Sequence, residues 1–185
     1  PQVVFVLPAF EIRGGQQLPR SKEELRGLWL AGAARPFYGA LCARCQAPTS
    51  YARWWALPPG SGLKVAYEVP WQDPWEPFYL APALGVPPFD ESFLQGPMGA
   101  AEQSLGAAPW VLIFSSPPPH PKACELHVAG FRFAVLDGAF VAHRGFKEPG
   151  SFHRGREAEL ELNRQRFRLF RRRLRQRYPS SPRRC

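Results

Sequence analysis

Hydrophobic residues in this chain come in short runs separated by proline and glycine, and the spacing inside each run indicates its structure. Residues 3–7 (VVFVL) form an apolar, β-branched run stopped by Pro8, the pattern of a buried strand. Residues 8–12 (PAFEI) extend it as an edge segment. Ser21 opens SKEELRGLWLAG, with Glu24 three positions on, a capping-box pattern that predicts a short amphipathic helix. Leu25, Leu28 and Trp29 share its apolar face, and Gly32 stops it. Residues 63–69 (LKVAYEV) alternate as a strand does, with Leu63, Val65, Tyr67 and Val69 on one side. They lead into an aromatic loop, PWQDPWEPFYLAP. Residues 131–136 and 139–143 are two further strand-like stretches joined by Asp137-Gly138, a turn-forming pair. Over residues 157–178, Leu160, Phe167, Phe170, Leu174 and Tyr178 recur near the helical period, with arginine on the other face, which predicts one terminal helix. This order of elements predicts a mixed α/β domain. Residues 94–122, rich in Pro, Ala and Gly and containing PPPHP, fit none of these patterns. Structureless stretches of that length are uncommon inside compact domains, so they read as a disordered insertion or as sequence foreign to the fold.

Composition narrows the picture. Of 185 residues, 45% are apolar, with 14 Phe, 6 Trp and 5 Tyr, enough for one hydrophobic core and one domain. The 22 Pro and 16 Gly argue against a helical bundle. Charge changes the reading more. Lys and Arg number 24 against 15 Asp and Glu, a net +9. The excess sits after Asn163, where every charged residue is an arginine. A uniformly basic binding protein is therefore excluded, whereas a basic terminal element is not. The arginine helix has three readings: a solvated face with its apolar stripe docked on the body, a nucleic-acid surface, or a contact for anionic membrane. The remainder of the chain offers no basic patch to support the second, so no specific nucleic-acid partner is expected. No apolar run reaches membrane-spanning length. The chain opens at Pro1, directly before a strand, which reads as the absence of an upstream part.

Candidate chemistry is sparse and each motif has a plain alternative. Four cysteines, Cys42, Cys45, Cys124 and Cys185, leave one or two disulfides open. Cys42-x-x-Cys45 suits a local disulfide, two free buried thiols, or metal or redox chemistry, and a single pair does not complete a tetrahedral zinc site. Glu68, Asp73 and Glu76, and the pair Asp90-Glu91, lie among aromatic residues. Such carboxylates either form a partly desolvated pocket that suits a base or are loop residues capped by local amides. His143 follows a strand and precedes Arg144 and Lys147. That grouping suits a metal ligand beside phosphate-neutralising cations, or else a set of ordinary surface residues.

Six stretches together carry a resemblance: residues 3–13 (VVFVLPAFEIR), 34–54 (ARPFYGALCARCQAPTSYARW), 63–80 (LKVAYEVPWQDPWEPFYL), 87–93 (PPFDESF), 123–147 (ACELHVAGFRFAVLDGAFVAHRGFK) and 167–185 (FRLFRRRLRQRYPSSPRRC). They resemble the C-terminal part of the β-1,4-glucuronyltransferase family, which includes the second catalytic domain of the LARGE xylosyl- and glucuronyltransferases. The resemblance implies the C-terminal part of a GT-A-type glycosyltransferase in a Golgi type II membrane protein with a transmembrane signal anchor. It implies transfer of glucuronic acid from UDP-glucuronate to a β-linked xylose, with inversion, on the O-mannosyl glycan of α-dystroglycan, beside possible Golgi glycosyltransferase partners. It implies Mn²⁺ held by an Asp-x-Asp motif and by a histidine. His143 matches the histidine position, and Lys147, with Arg144, matches positions suited to the diphosphate. The base falls to Asp90 or Glu91, with Glu125 as the second choice, and Trp71, Trp75 and Phe78 become the acceptor wall. In that lumenal setting Cys42 and Cys45 are expected to be joined. No Asp-x-Asp occurs in this chain, and residues 94–122 replace a shorter family segment. Both departures read as an incomplete gene product, inactive by itself. The alternatives are a non-catalytic glycan-binding module and a basic nucleic-acid-binding protein.

Overall fold

The computed structural model describes residues 2–58, 62–82, 85–88, 90, 102–104, 110–113, 121–148 and 156–185. In chain order its strands are β1 (Val3–Leu7), β2 (Ala9–Ile12), β3 (Ala34–Pro36), β4 (Lys64–Val69), β5 (Phe78–Pro82), β6 (Glu102–Ser104), β7 (Trp110–Ile113), β8 (Arg132–Asp137) and β9 (Val141–Arg144). Its α-helices are α1 (Lys22–Leu30), α2 (Tyr51–Ala56), α3 (Pro121–Val128) and α4 (Arg156–Arg177). Six strands form one sheet in the order β4-β8-β1-β5-β7-β6, and three form a second, β3-β2-β9. Both sheets are mixed, because β1 runs parallel to β8 and β2 parallel to β9 while the other pairs are antiparallel. The expected α/β class is observed, with helices flanking mixed sheets.

The apolar run at residues 3–7 becomes a central strand, as its composition demands: Val4 and Val6 are wholly buried between β5 and β8. The next segment departs from expectation. Residues 8–12 do not extend β1 as an edge; Ala9–Ile12 is the middle strand of the second sheet, buried at all four positions. Pro8 falls at the break between the sheets, where its missing N–H removes no ladder bond, and its carbonyl accepts the Val141 amide at 2.9 Å.

A second departure lies at Asp137-Gly138. The strands on either side do not pair as a hairpin. Like β1 and β2, β8 and β9 pass from the large sheet to the small one, so two parallel strands cross together. Gly138 takes φ +80°, and a Cβ there would overlap the Gly62 carbonyl oxygen. The alternation expected through residues 63–69 is also interrupted. A bulge between Val65 and Tyr67 turns Tyr67 inward and leaves Val65 exposed.

The first helix follows its signals closely. Ser21 Oγ accepts the Glu24 amide at 3.2 Å, and Glu24 Oε2 accepts the Arg20 amide at 2.7 Å. At the other end Gly32 has φ +65°, and the amides of Gly32 and Ala33 bond back to Trp29 and Leu28. That is a Schellman stop.

The C-terminal helix docks by its apolar stripe: Phe170 and Leu174 are buried, while Arg168, Arg171, Arg172 and Arg175 are exposed. Most of residues 94–122 lie outside the described set, apart from β6, β7 and the start of α3. Among the described residues no helix is long and apolar enough to cross a membrane. The expected transmembrane signal anchor therefore has no counterpart among them, and that expectation is corrected.

Candidate functional site

The small sheet is built around a buried charge. In the parallel ladder of β2 and β9, Glu11 is the partner of His143. Glu11 is fully buried within an otherwise apolar strand. Its Oε2 accepts Arg35 Nε at 2.8 Å and the Lys147 amide at 3.0 Å, and its Oε1 accepts the Tyr38 amide at 3.0 Å. One carboxylate thus ties three segments together: β3, the turn after it, and the loop after β9. Such pairing is what makes burial of the charge tolerable.

His143 projects beside this hub. Its ring meets the edge of Phe37 at 5.7 Å, and Phe37 in turn stands edge-on to Phe78 at 4.9 Å. Nδ1 of His143 is buried without a hydrogen-bond partner. Burial lowers the imidazole's pKa, and the Lys147 ammonium lowers it further, against smaller opposing effects from the Arg144–Gly145 backbone and Glu11. A neutral ring with an unused nitrogen fits a metal ligand. After His143 the chain turns at Gly145, φ +88°, and delivers Lys147 to the same region. Burial depresses the Lys147 pKa while Glu11 raises it. Arg144, the next residue along β9, leaves the opposite face of the strand and is exposed. Among the described residues no three His, Cys, Asp or Glu side chains are grouped to hold an ion.

The other expected residues do not all gather here. Asp90 lies 3.5 Å from Arg173 of α4, and Glu91 lies outside the described residues. Glu125 is an interior ion-pair partner: it is 1% exposed, and its Oε1 accepts Arg177 Nη1 at 2.6 Å and the Tyr178 hydroxyl at 3.1 Å. Those bonds fasten α3 to α4 and leave it poorly placed to take a substrate proton.

Of the three aromatic residues expected to face an acceptor, Trp75 and Phe78 are packed inside and Trp71 is 9% exposed. Trp75 is 1% exposed, tilts against Phe133 and donates to Thr49 Oγ1 at 3.0 Å. Phe78 backs Phe37 and so supports His143 from behind. Only Trp71, stacked on His127 at 5.1 Å, borders open space, a cleft of about 350 Å³ shared with Glu68, Arg132 and Arg183. That cleft lies at the start of β8, whereas His143 follows its end.

Cys42 and Cys45 are joined, with Cα atoms 5.4 Å apart, within a short 3₁₀ turn. A second disulfide, Cys124–Cys185, links α3 to the residues after α4. Sequence spacing does not announce it, since the partners are 61 positions apart. Nor does any motif mark Glu11 and Arg35. The available signal was a glutamate inside the apolar strand AFEI.

Comparison with known proteins shows which family the chain resembles. A family model described as glycosyl-transferase for dystroglycan matches residues 1–179. Beta-1,4-glucuronyltransferase 1 of Homo sapiens is 48% identical over 181 residues, covering 98% of this chain and 39% of that protein. The Mus musculus protein of that name is 47% identical over 181 residues, with the same coverage. The Danio rerio one is 46% identical over 184 residues, covering 98% of this chain and 38% of the relative. The chain spans about two fifths of the length of the curated relatives it matches.

Proposed function

This chain belongs to the family of glycosyltransferases for dystroglycan, and from that premise we propose that the full-length protein transfers glucuronic acid from UDP-glucuronate to a β-linked xylose, with inversion, on a GT-A-type scaffold. The acceptor in this reading is the xylose-terminated O-mannosyl glycan of α-dystroglycan, and the setting is the Golgi lumen. The mixed sheets with flanking helices and the two disulfides are compatible with both assignments. The observation that carries the reading is the unpartnered, buried Nδ1 of His143 on the strand that also delivers Lys147.

Each residue then has a role its chemistry supports. His143 presents a neutral nitrogen to a divalent cation, manganese in this family. A bound divalent cation neutralises charge that develops on the departing diphosphate. Lys147 supports the same negative charge from its loop, whereas Arg144 leaves the opposite face of β9 and is set aside. Asp90 or Glu91 takes the proton of the xylose hydroxyl as that oxygen bonds to the anomeric carbon, while the bond from that carbon to UDP breaks on the opposite side. Glu125 is set aside because its oxygen is committed to Arg177. Trp71 borders open space, but its cleft lies at the other end of β8 from His143, so it is set aside as an acceptor wall too.

The test compares wild-type and His143→Ala full-length proteins with UDP-glucuronate, a xyloside and a Mn²⁺ titration. We expect at least a hundredfold loss of transfer in the variant, partly recovered at high Mn²⁺. An unchanged Mn²⁺ dependence would remove His143 from the metal site. Absence of transfer by the wild-type protein would overturn the assignment. The 185 residues alone, which contain no Asp-x-Asp, are expected to show no transfer.

A further inference from the structure

We propose that Glu11 and Arg35 are positioning residues that aim Lys147 at the donor diphosphate, an inference that rests on the donor-site reading above. The geometry is a clamp on a single residue. The Lys147 amide donates to Glu11 Oε2 at 3.0 Å, and its carbonyl accepts Arg35 Nη2 at 2.8 Å. Arg35 Nε donates at 2.8 Å to the same Glu11 oxygen. The amide and carbonyl flank the Cα, so holding both sets the direction of the Cα–Cβ bond and hence the region the ammonium sweeps. Arg35 is itself held: its guanidinium lies over the Phe146 ring at 4.2 Å and contacts Glu148 at 3.2 Å.

Two observations separate this clamp from ordinary sheet structure. The ladder between β2 and β9 ends at the pair Ile12 and Arg144, so the clamp acts beyond the last rung and holds the loop. Glu11 also stands opposite His143 in that ladder, which fixes His143 and Lys147 to one reference point. A bulky apolar residue at position 11 would fill the strand equally well. It would hold neither the Lys147 amide nor the arginine that grips its carbonyl. The fork of Arg35 matters too, because one ammonium cannot reproduce its parallel contacts to a carboxylate and a carbonyl.

The experiment uses the full-length protein and the variants Arg35→Ala, Arg35→Lys, Lys147→Ala and Arg35→Ala/Lys147→Ala. Calorimetric binding of UDP with Mn²⁺ is one readout and hydrogen exchange at the Lys147 amide is the other. We expect Arg35→Ala to weaken UDP binding about tenfold and Arg35→Lys to recover part of that loss. Neither should alter exchange in β1 or β8. In the Lys147→Ala background, removal of Arg35 should cost little more, because a residue acting through another loses its effect with it. Exchange at the Lys147 amide should rise about tenfold in Arg35→Ala. An equal loss of affinity with and without Lys147, or faster exchange spread across β1 and β8, would overturn the proposal. If the wild-type protein fails to bind UDP with Mn²⁺, the donor-site reading falls, and exchange at Lys147 still judges the clamp.

Discussion

Individual side chains do most to hold the crossing between the sheets. Lys22, in the first turn of α1, is 8% exposed and donates to Asp137 Oδ1 at 2.9 Å, the Trp54 carbonyl at 2.8 Å and the Leu57 carbonyl at 3.2 Å. Its ammonium also sits 4.1 Å from the centre of the Trp54 ring. Asp137 is 1% exposed and precedes the glycine at which the chain leaves the large sheet. Lysine seldom sits this deep without such partners. Lys22→Met should therefore cost about 3–5 kcal/mol, the penalty for stranding a buried charge, because the remaining cation, Lys64, is 4.0 Å away and exposed. Lys22→Met/Asp137→Leu should recover part of that loss. Urea denaturation of the three proteins measures both quantities, and a Lys22→Met cost below about 1 kcal/mol would refute the account. None of this network is legible in a lone sequence. Lys22 looks like an ordinary polar residue of a capped helix, and only the fold brings it to Asp137. His143 and Lys147 were legible because they are close in sequence. Glu11 and Arg35, which organise them, come from distant segments.

At the level of elements, local signals succeeded where one segment decides its own shape. Ser21, Glu24 and Gly32 bounded α1, and the recurrence of Phe167, Phe170 and Leu174 announced α4. They failed where a partner decides. β5 arises inside what reads as an aromatic loop because β1 and β7 supply ladders on both sides. β9 belongs to β2 although a turn-forming pair joins it to β8. Helix α3 begins at the last residues of a proline-rich stretch that gives no helical period. For α4 the docked stripe and the solvated face make separable predictions. Leu174→Ala should cost about 2–5 kcal/mol, as a truncation in packed surroundings does. Changing Arg168, Arg171, Arg172 and Arg175 each to Gln should alter stability by no more than about 0.5 kcal/mol per residue. Thermal melts of these variants check it, and a large loss from the arginine changes would show that the outer face is engaged after all.

For the molecule as a whole, two covalent links act on different parts. Cys42–Cys45 closes a tight turn after β3, while Cys124–Cys185 fastens the C-terminal residues to α3. Ser181 and Arg183 reinforce the second link through the carbonyls of Val128, His127 and Phe131, at 2.7–3.2 Å. Protein made in a secretory cell should carry both bridges and no free thiol. Peptide mapping without reduction checks this, and four alkylatable cysteines would contradict the lumenal setting. The topology also constrains how the chain assembles during synthesis. β1 lies at the centre of the large sheet, yet Val3 must await Arg132 to form its parallel ladder. Until then its hydrogen-bonding edge and its apolar side chains have no permanent neighbour on that side. Non-local parallel pairing is slow, and uncovered strand edges invite association with other chains. During synthesis that side of β1 stays open until β8 emerges, so the interval between the two strands is one in which the growing chain is exposed to association with others.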